Sequence, residues 1–172
     1  MSYICCDVES DGPAPGLFSM VCFGAIIVEP SLSKTFYGQT RPITNDYQEK
    51  ALSISGFSRY DHDRFDDPRE VMDDFDDWIK ANSVGHPIFI SDNPAYDWQW
   101  INYYFHWLHG KNPFGYSARR LGDLYCGFVK DTRARWKHLR DTPHNHHPVE
   151  DAKGNAEVLL KLQEMGLKIK LT

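Results

Sequence analysis

The chain has 172 residues, of which 41% are hydrophobic and 25% charged, and its net charge is −5 at pH 7. This length suffices for one domain with its own hydrophobic core, and we expect a single domain over 1–172. We expect no membrane span and no signal peptide, because the sequence has no long apolar run and no basic-then-apolar amino terminus. The four cysteines show no CxxC spacing, so we expect free thiols and a cytoplasmic location.

The average charge hides two segments of opposite sign. Nine acids and two bases lie in 61–77, whereas seven bases and two acids lie in 119–140. Either segment is consistent with a solvated helix face. The alternative interpretation is a basic lip that guides a polyanion, with the acidic helix on the far side of the protein.

Three strands are predicted first along the chain, at 3–9, 19–29 and 34–41, and Asp7 and Glu9 close the first of them. Strand side chains alternate between faces, so these two acids point the same way. Two carboxylates on one face are unfavourable unless a cation lies between them. Solvated acids on an edge strand are the alternative, but the sequence Ile-Cys-Cys-Asp-Val-Glu is too apolar for an edge. Asp7 and Glu9 are therefore candidate metal ligands.

A helix is predicted at 68–81. Asp67 is the expected N-cap, Pro68 fits the first helical position and Glu70 is expected to complete a capping box. One stripe of the helix should face the core, and it consists of Val71, Phe75, Trp78 and Ile79.

A short strand at 87–91 leads into a helix that begins after Asn93 and ends near His109. Asp97 falls in or just past the first turn, where the helix dipole favours an acid. It lies beside the carboxyl end of the strand, which makes it a third candidate metal ligand. Asp92 is a competing acid, which we interpret as part of the turn.

The remaining elements are a short strand near 119–122, helical segments to about 140, and a helix at 148–166. Ala152 and Ala156 lie on its inward stripe, where small side chains allow close approach to a sheet. Strands followed by alternating strands and helices predict an α/β fold with a mixed sheet flanked by helices.

Three histidines precede the last helix: His144, His146 and His147. Structural zinc would need four ligands, commonly Cys or His at defined spacings, and the nearest cysteine in sequence is Cys126. Asp151 either caps the last helix or, beside the core-facing Ala152, lies near the sheet. An oxygen-rich set that includes Asp151 suits hard cations such as magnesium or manganese.

Three segments resemble the three motifs of the DEDDh branch of the DnaQ-like 3′→5′ exonuclease superfamily: Asp7-Val8-Glu9, Asn93 through Asp97, and His146 through Asp151. They occur in family order over nearly the whole chain. Segment 51–57 is similar to the helix and turn ahead of the family's second helix. The length and the Trp-rich second motif are most similar to small ribonuclease T-like exoribonucleases, including mycobacterial and phage-encoded types. The chain departs from the pattern in its longer, Pro/Gly-rich loop at 10–16 and in Asp92, where several relatives have His or Gly.

The resemblance implies a ribonuclease H-like fold with a five- or six-stranded sheet, and a metal-dependent 3′→5′ exoribonuclease that releases nucleoside 5′-monophosphates. Asp7, Glu9, Asp97 and Asp151 would hold two Mg²⁺ or Mn²⁺ ions, and His146 would accept a proton from the attacking water. An RNA substrate, either single-stranded or with a 3′ overhang, is implied by family analogy alone. A DNA-trimming or proofreading exodeoxyribonuclease is the alternative, and a catalytically idle nucleic-acid-binding module is another.

Substrate contacts are less clearly marked in the sequence. Phe57 follows Gly56 in a turn and is a candidate for stacking on a base. Loop 10–16 and segment 55–60 are expected to form the wall of the terminal-nucleotide pocket. A homodimer that lends basic residues across subunits would suit the small size of the chain.

Overall fold

The computed structural model describes residues 1–171, in which five strands form one mixed sheet. The strands are β1 (Tyr3–Ser10), β2 (Met20–Ile27), β3 (Thr35–Gln39), β4 (Ile88–Ser91) and β5 (Ala118–Arg120). Their order is β3-β2-β1-β4-β5, with β1 in the centre. β1 pairs antiparallel with β2 and parallel with β4, and β4 pairs parallel with β5. The α/β fold with a mixed sheet is confirmed.

Six α-helices and one short 3₁₀ turn connect and cover the described strands. They are α1 (Glu49–Ile54), α2 (Arg59–His62), α3 (Pro68–Asn82), α4 (Pro94–His109), α5 (Leu121–Val129), the 3₁₀ turn Lys137–Leu139 and α6 (Pro148–Glu164). The three long helices, α3, α4 and α6, end within two residues of their predicted bounds. Within residues 1–171, no helix combines the length and the apolar character that a membrane crossing requires.

β1 is buried on both faces because its alternate residues enter two different hydrophobic clusters. Ile4, Cys6 and Val8 pack with side chains of α3 and α4. Cys5, on the opposite face, packs with side chains of α5 and α6. A central strand covered by helices on both sides has this pattern, so the apolar sequence of β1 was a correct indication of its place in the sheet.

The predicted capping box of α3 is wrong in one residue. Asp67 is the N-cap, but its carboxylate accepts the N–H of Arg69, at the second helical position, at 2.8 Å. A capping box needs a bond to the third position, so Glu70 has no part in it. The other carboxylate oxygen of Asp67 pairs with Arg41.

Gly24 sets how closely α6 approaches the sheet. It lies on β2 directly opposite Asp7 of β1. A Cβ atom built on Gly24 would lie 2.4 Å from the backbone carbon of Pro148 and from the backbone nitrogen of Val149. Backbone atoms cannot move aside as a flexible side chain can. A glycine in β2 therefore allows the first turn of α6 to contact the sheet beside Asp7.

We predict that Gly24→Ala destabilises the protein by about 1–3 kcal/mol, the usual penalty for overpacking a tight contact. Gly127→Ala is the matched control, because Gly127 lies within α5 and a Cβ atom there would meet nothing within 4 Å. Replacing a helix-interior glycine by alanine should stabilise by about 0.5–1 kcal/mol. Urea unfolding of both variants measures the two effects, and a loss in Gly127→Ala as large as that in Gly24→Ala would contradict the prediction.

Candidate active site

The carboxyl end of β1 brings two acids to one face of the sheet. Asp7 and Glu9 lie two and four residues after Cys5, whose side chain packs on the α6 side. Alternation along the strand therefore directs both carboxylates towards α6. Glu9 is only 8% exposed, and Asp7 is partly buried.

A third acid, Asp97, comes from the first turn of α4. β4 runs parallel to β1, so the chain leaves the sheet at the same edge and turns into α4 after Asn93. The carboxylate of Asp97 accepts a hydrogen bond from the backbone N–H of Val8 at 3.2 Å. Since Val8 separates Asp7 from Glu9, this bond fixes Asp97 beside both acids.

The fourth acid, Asp151, lies in the first turn of α6 and is almost fully buried. One carboxylate oxygen accepts Nη2 of Arg140 at 2.9 Å. The other accepts the backbone N–H of His146 at 2.9 Å and lies 2.5 Å from Nδ1 of His144. A Cβ atom on Gly154 would fall 2.4 Å from the guanidinium of Arg140, so this glycine leaves the space that the guanidinium fills.

His146 connects the third motif to the first. Its Nδ1 lies 3.2 Å from Oε1 of Glu9, and its ring is half-exposed. Its backbone has a φ of 62°, in the left-handed region that residues other than glycine rarely adopt. The bond from its N–H to Asp151 helps to hold this conformation. The structure thus brings together all five predicted residues, Asp7, Glu9, Asp97, His146 and Asp151.

Burial and repulsion between neighbouring carboxylates raise the pKa values of Asp7, Glu9 and Asp97. Burial is the largest cause for Asp7, followed by the charges of Asp97, Asp151 and Glu9, and together they hold the pKa of Asp7 well above its usual range. Burial raises the pKa of Asp97 to about 7, although its hydrogen bonds act in the opposite direction. Burial also raises the pKa of Glu9, against the hydrogen bond with His146. Crowded carboxylates with raised pKa values form a set that a bound cation would stabilise.

Asp7, Glu9 and Asp97 line a cleft of about 370 Å³, and the buried Asp151 contacts His144 and His146 in its wall. Its walls include two side chains that sequence reasoning did not select, Ile54 at the end of α1 and Tyr96 in α4. Ile54 is 44% exposed, although it is apolar. Its exposure could not be read from the sequence, because α1 is only six residues long and shows no clear periodicity.

Phe57 is the one predicted site residue that the structure does not bring to this cleft. Its ring packs edge-on against Phe65 at a centroid distance of 4.9 Å. It adjoins the small cluster of Val21, Cys22 and Leu52 instead. Base stacking by Phe57 is therefore not supported by its position, because its ring has a protein partner.

Two further residues belong to the site that the sequence did not single out. His144 lines the cleft and its ring lies 4.4 Å from that of His146. Nη2 of Arg140 lies 2.9 Å from the carboxylate of Asp151, and both side chains are buried. The two histidines and Asp151 each place a ligand atom within 4.8 Å of the others, a three-membered set without cysteine. The His-x-His spacing was a signal for His144, whereas Arg140 was one of seven bases in its segment.

Comparison with known proteins gives one consistent result. No family model matches the chain. The chain is 34% identical over 185 aligned positions to "3′-5′ DNA exonuclease Cap18" of Escherichia coli, covering 98% of this chain and 95% of that protein. Its fold is similar to the nuclease domain of 3′hExo, a DEDDh family member bound to rAMP, with a TM-score of 0.79, 17% identity and coverage of 99% and 96%. E. coli Exonuclease I in complex with a dT13 oligonucleotide is also similar, with a TM-score of 0.71, 16% identity and coverage of 96% and 42%.

The raised pKa of Asp7 predicts the effect of Asp7→Asn on the metal-free protein. A raised pKa means that the protonated form is favoured in the fold, so stability is lost as pH rises through that pKa. At about pH 8, Asp7→Asn should raise the melting temperature by at least about 2–4 °C, the shift that 1 kcal/mol gives at this size. Near pH 4 the gain should shrink, because Asp7 is then protonated in the folded state and about half protonated in the unfolded chain, where the Asp pKa is about 3.9.

Thermal unfolding in EDTA at both pH values tests this. Asp74→Asn is the control, because Asp74 lies exposed on α3 and far from the four acids in sequence and fold. Equal melting temperatures for Asp7→Asn and the wild type at the higher pH would show that repulsion among the acids is not a significant cost.

Proposed function

This chain belongs to the DEDDh 3′→5′ exonuclease superfamily, and on that basis we propose that it hydrolyses phosphodiester bonds from the 3′ end of a nucleic acid and releases nucleoside 5′-monophosphates. One observation carries the proposal: Asp7, Glu9, Asp97 and His146 line one cleft, and Asp151 is bonded to the backbone of His146, although the five residues come from three separate parts of the chain. An idle binding module of the same fold would have no need to keep all five.

The four acids suit a pair of hard divalent cations, Mg²⁺ or Mn²⁺. They offer oxygen ligands from β1, α4 and α6, and the raised pKa values of Asp7 and Asp97 reflect crowding and burial that a cation would offset. When bound, two such ions stabilise the attacking and the leaving oxygen of the displacement. The protein's part is to hold Asp7, Glu9, Asp97 and Asp151 rigidly at the end of a central strand.

His146 is the proposed general base. Its Nδ1 lies against the carboxylate of Glu9, which favours the tautomer with the proton on Nδ1. Nε2 is then free to accept the proton of the attacking water. The ring is half-exposed, so the accepted proton has a route to solvent.

Single-stranded DNA is the substrate that we propose first. The relative that is 34% identical over nearly its whole length is named a DNA exonuclease, and this outweighs the analogy that favoured RNA. RNA is the second candidate, supported by the rAMP bound to the similar 3′hExo domain. A homodimer stays a prediction.

Substrate and products can be identified in one assay. Single-stranded DNA and RNA of equal sequence, labelled at the 5′ end, should be shortened from the 3′ end in the presence of Mg²⁺ or Mn²⁺. Mass spectrometry should detect nucleoside 5′-monophosphates, and DNA should be cut faster than RNA. EDTA should stop the reaction, and activity that survives EDTA would exclude a metal-dependent mechanism.

His146→Ala should reduce kcat by roughly 10²–10⁴-fold, the usual contribution of a general base. The rise in melting temperature caused by Mn²⁺ should persist, because the four acids remain and binding to the native state alone stabilises it. Kinetics and thermal unfolding, measured side by side, separate loss of the base from loss of the metal.

His147→Ala is the matched control. His147 is exposed and stacks on Tyr37 at a centroid distance of 5.4 Å, away from the four acids. Its removal should leave turnover close to that of the wild type. If His147→Ala were inactive and His146→Ala active, His147 would be the base and the assignment of the third motif would be wrong.

A further inference from the structure

The opposite charges of the two sequence segments lie at opposite edges of the sheet. The acidic segment contains the end of α2 and most of α3, and α3 packs against β3, one edge strand. The basic segment begins in β5, the other edge strand, and continues through α5 to the 3₁₀ turn. The net charge of −5 therefore conceals a strongly uneven distribution.

The basic edge adjoins the cleft because β1, β4 and β5 are parallel and end at the same side of the sheet. Asp92, the residue after β4, lines the cleft together with Asp7. Arg120, the last residue of β5, donates from Nε to the backbone oxygen of Asp92 at 3.3 Å. Nζ of Lys137 lies 3.1 Å from the carboxylate of Asp92. Two segments that are distant in the sequence thus each place one cationic side chain at the same point on the cleft rim.

Both cations remain available to a ligand. The side chains of Arg120 and Lys137 are 53% and 62% exposed. Arg120 also pairs with Asp123, which is itself mostly exposed. The Arg120–Asp123 pair is exposed on both sides, and such pairs contribute little to stability. A phosphate group can therefore replace Asp123 as the partner of Arg120 without a large penalty, and the exposed side of Lys137 can contact a phosphate while it stays near Asp92.

We propose that Arg120 and Lys137 bind the phosphates of the single strand that precede the nucleotide in the cleft. This interaction surface rests on the proposed function, since it presumes that a 3′ end enters beside Asp97. Positively charged tracks of this kind bind single strands without regard to sequence. The backbone oxygen of Asp92 then positions Arg120, whereas the carboxylate of Asp92 competes with the phosphates for Lys137.

The test uses binding and cleavage together. In an Asp97→Asn background, which prevents cleavage, fluorescence anisotropy measures the affinity for a single strand of about 12 nucleotides. The double variant Arg120→Ala/Lys137→Ala should weaken binding about tenfold at low salt and reduce the salt slope of log K by about 1–2. In the active protein, the ratio of kcat/KM for this strand to kcat/KM for a dinucleotide should fall by a similar factor. The reason is that a dinucleotide without a 5′-phosphate contains only the scissile phosphate and none for Arg120 and Lys137 to bind.

Two other variants make the test specific. Arg64→Ala/Lys80→Ala removes the same charges from the acidic edge, where Lys80 pairs with Asp76 and Asp77, and should leave binding near that of the parent protein. Asp92→Asn removes the competing carboxylate and should tighten binding. If the Arg64/Lys80 variant weakens binding as much as the Arg120/Lys137 variant, or if Asp92→Asn weakens it, the surface is overturned.

The outcomes distinguish the two proposals. If the wild type cuts both substrates and the Arg120/Lys137 variant matches the parent in affinity and substrate ratio, the exonuclease proposal stands and the proposed surface is rejected. If the wild type cuts neither substrate but binding still depends on Arg120 and Lys137, the exonuclease proposal is rejected and the proposed surface stands.

Discussion

Four carboxylates meet at the carboxyl end of the central strand, and their mutual repulsion is the constraint that the surrounding structure has to satisfy. Three of the acids have a neighbour that limits the cost: the N–H of Val8 for Asp97, the ring of His146 for Glu9, and the guanidinium of Arg140 for Asp151. Asp7 shows the strain most directly, because three acids and burial together raise its pKa. The fold thus keeps a locally unfavourable cluster because the whole sheet holds it in place.

Two glycines allow the constraint to be met. Gly24 allows the start of α6 to contact β2 opposite Asp7, and Gly154 leaves space for Arg140 beside Asp151. Both serve close approach, and neither has a positive φ. Asp151 therefore lies close to the sheet because two neighbouring positions are glycines without a side chain, and because hydrogen bonds hold its carboxylate.

The sequence predicted the parts of this arrangement that depend on local patterns. Alternation placed Asp7 and Glu9 on one face, and the helical start signals placed Asp97 and Asp151 in first turns. The sequence did not predict the contacts between segments that are far apart along the chain. Phe57 was selected because it follows a glycine turn, but Phe65, eight residues later, packs against its ring. Arg140 could not be told from its basic neighbours, since only the space beside Gly154 distinguishes it.

The distribution of charge, rather than its sum, decides whether this acidic protein can receive a polyanion. At physiological ionic strength, exposed charges are screened beyond roughly 8 Å, so acids at the β3 edge have little effect at the cleft on the β4–β5 side. The phosphates near the cleft would meet Arg120 and Lys137 at the rim and Asp7, Glu9 and Asp97 inside it. Without bound cations those acids would repel the strand, so metal binding and substrate binding should depend on each other. On the proposed function, the basic rim would hold a strand close to the cleft, but the scissile phosphate would enter only with cations between the acids.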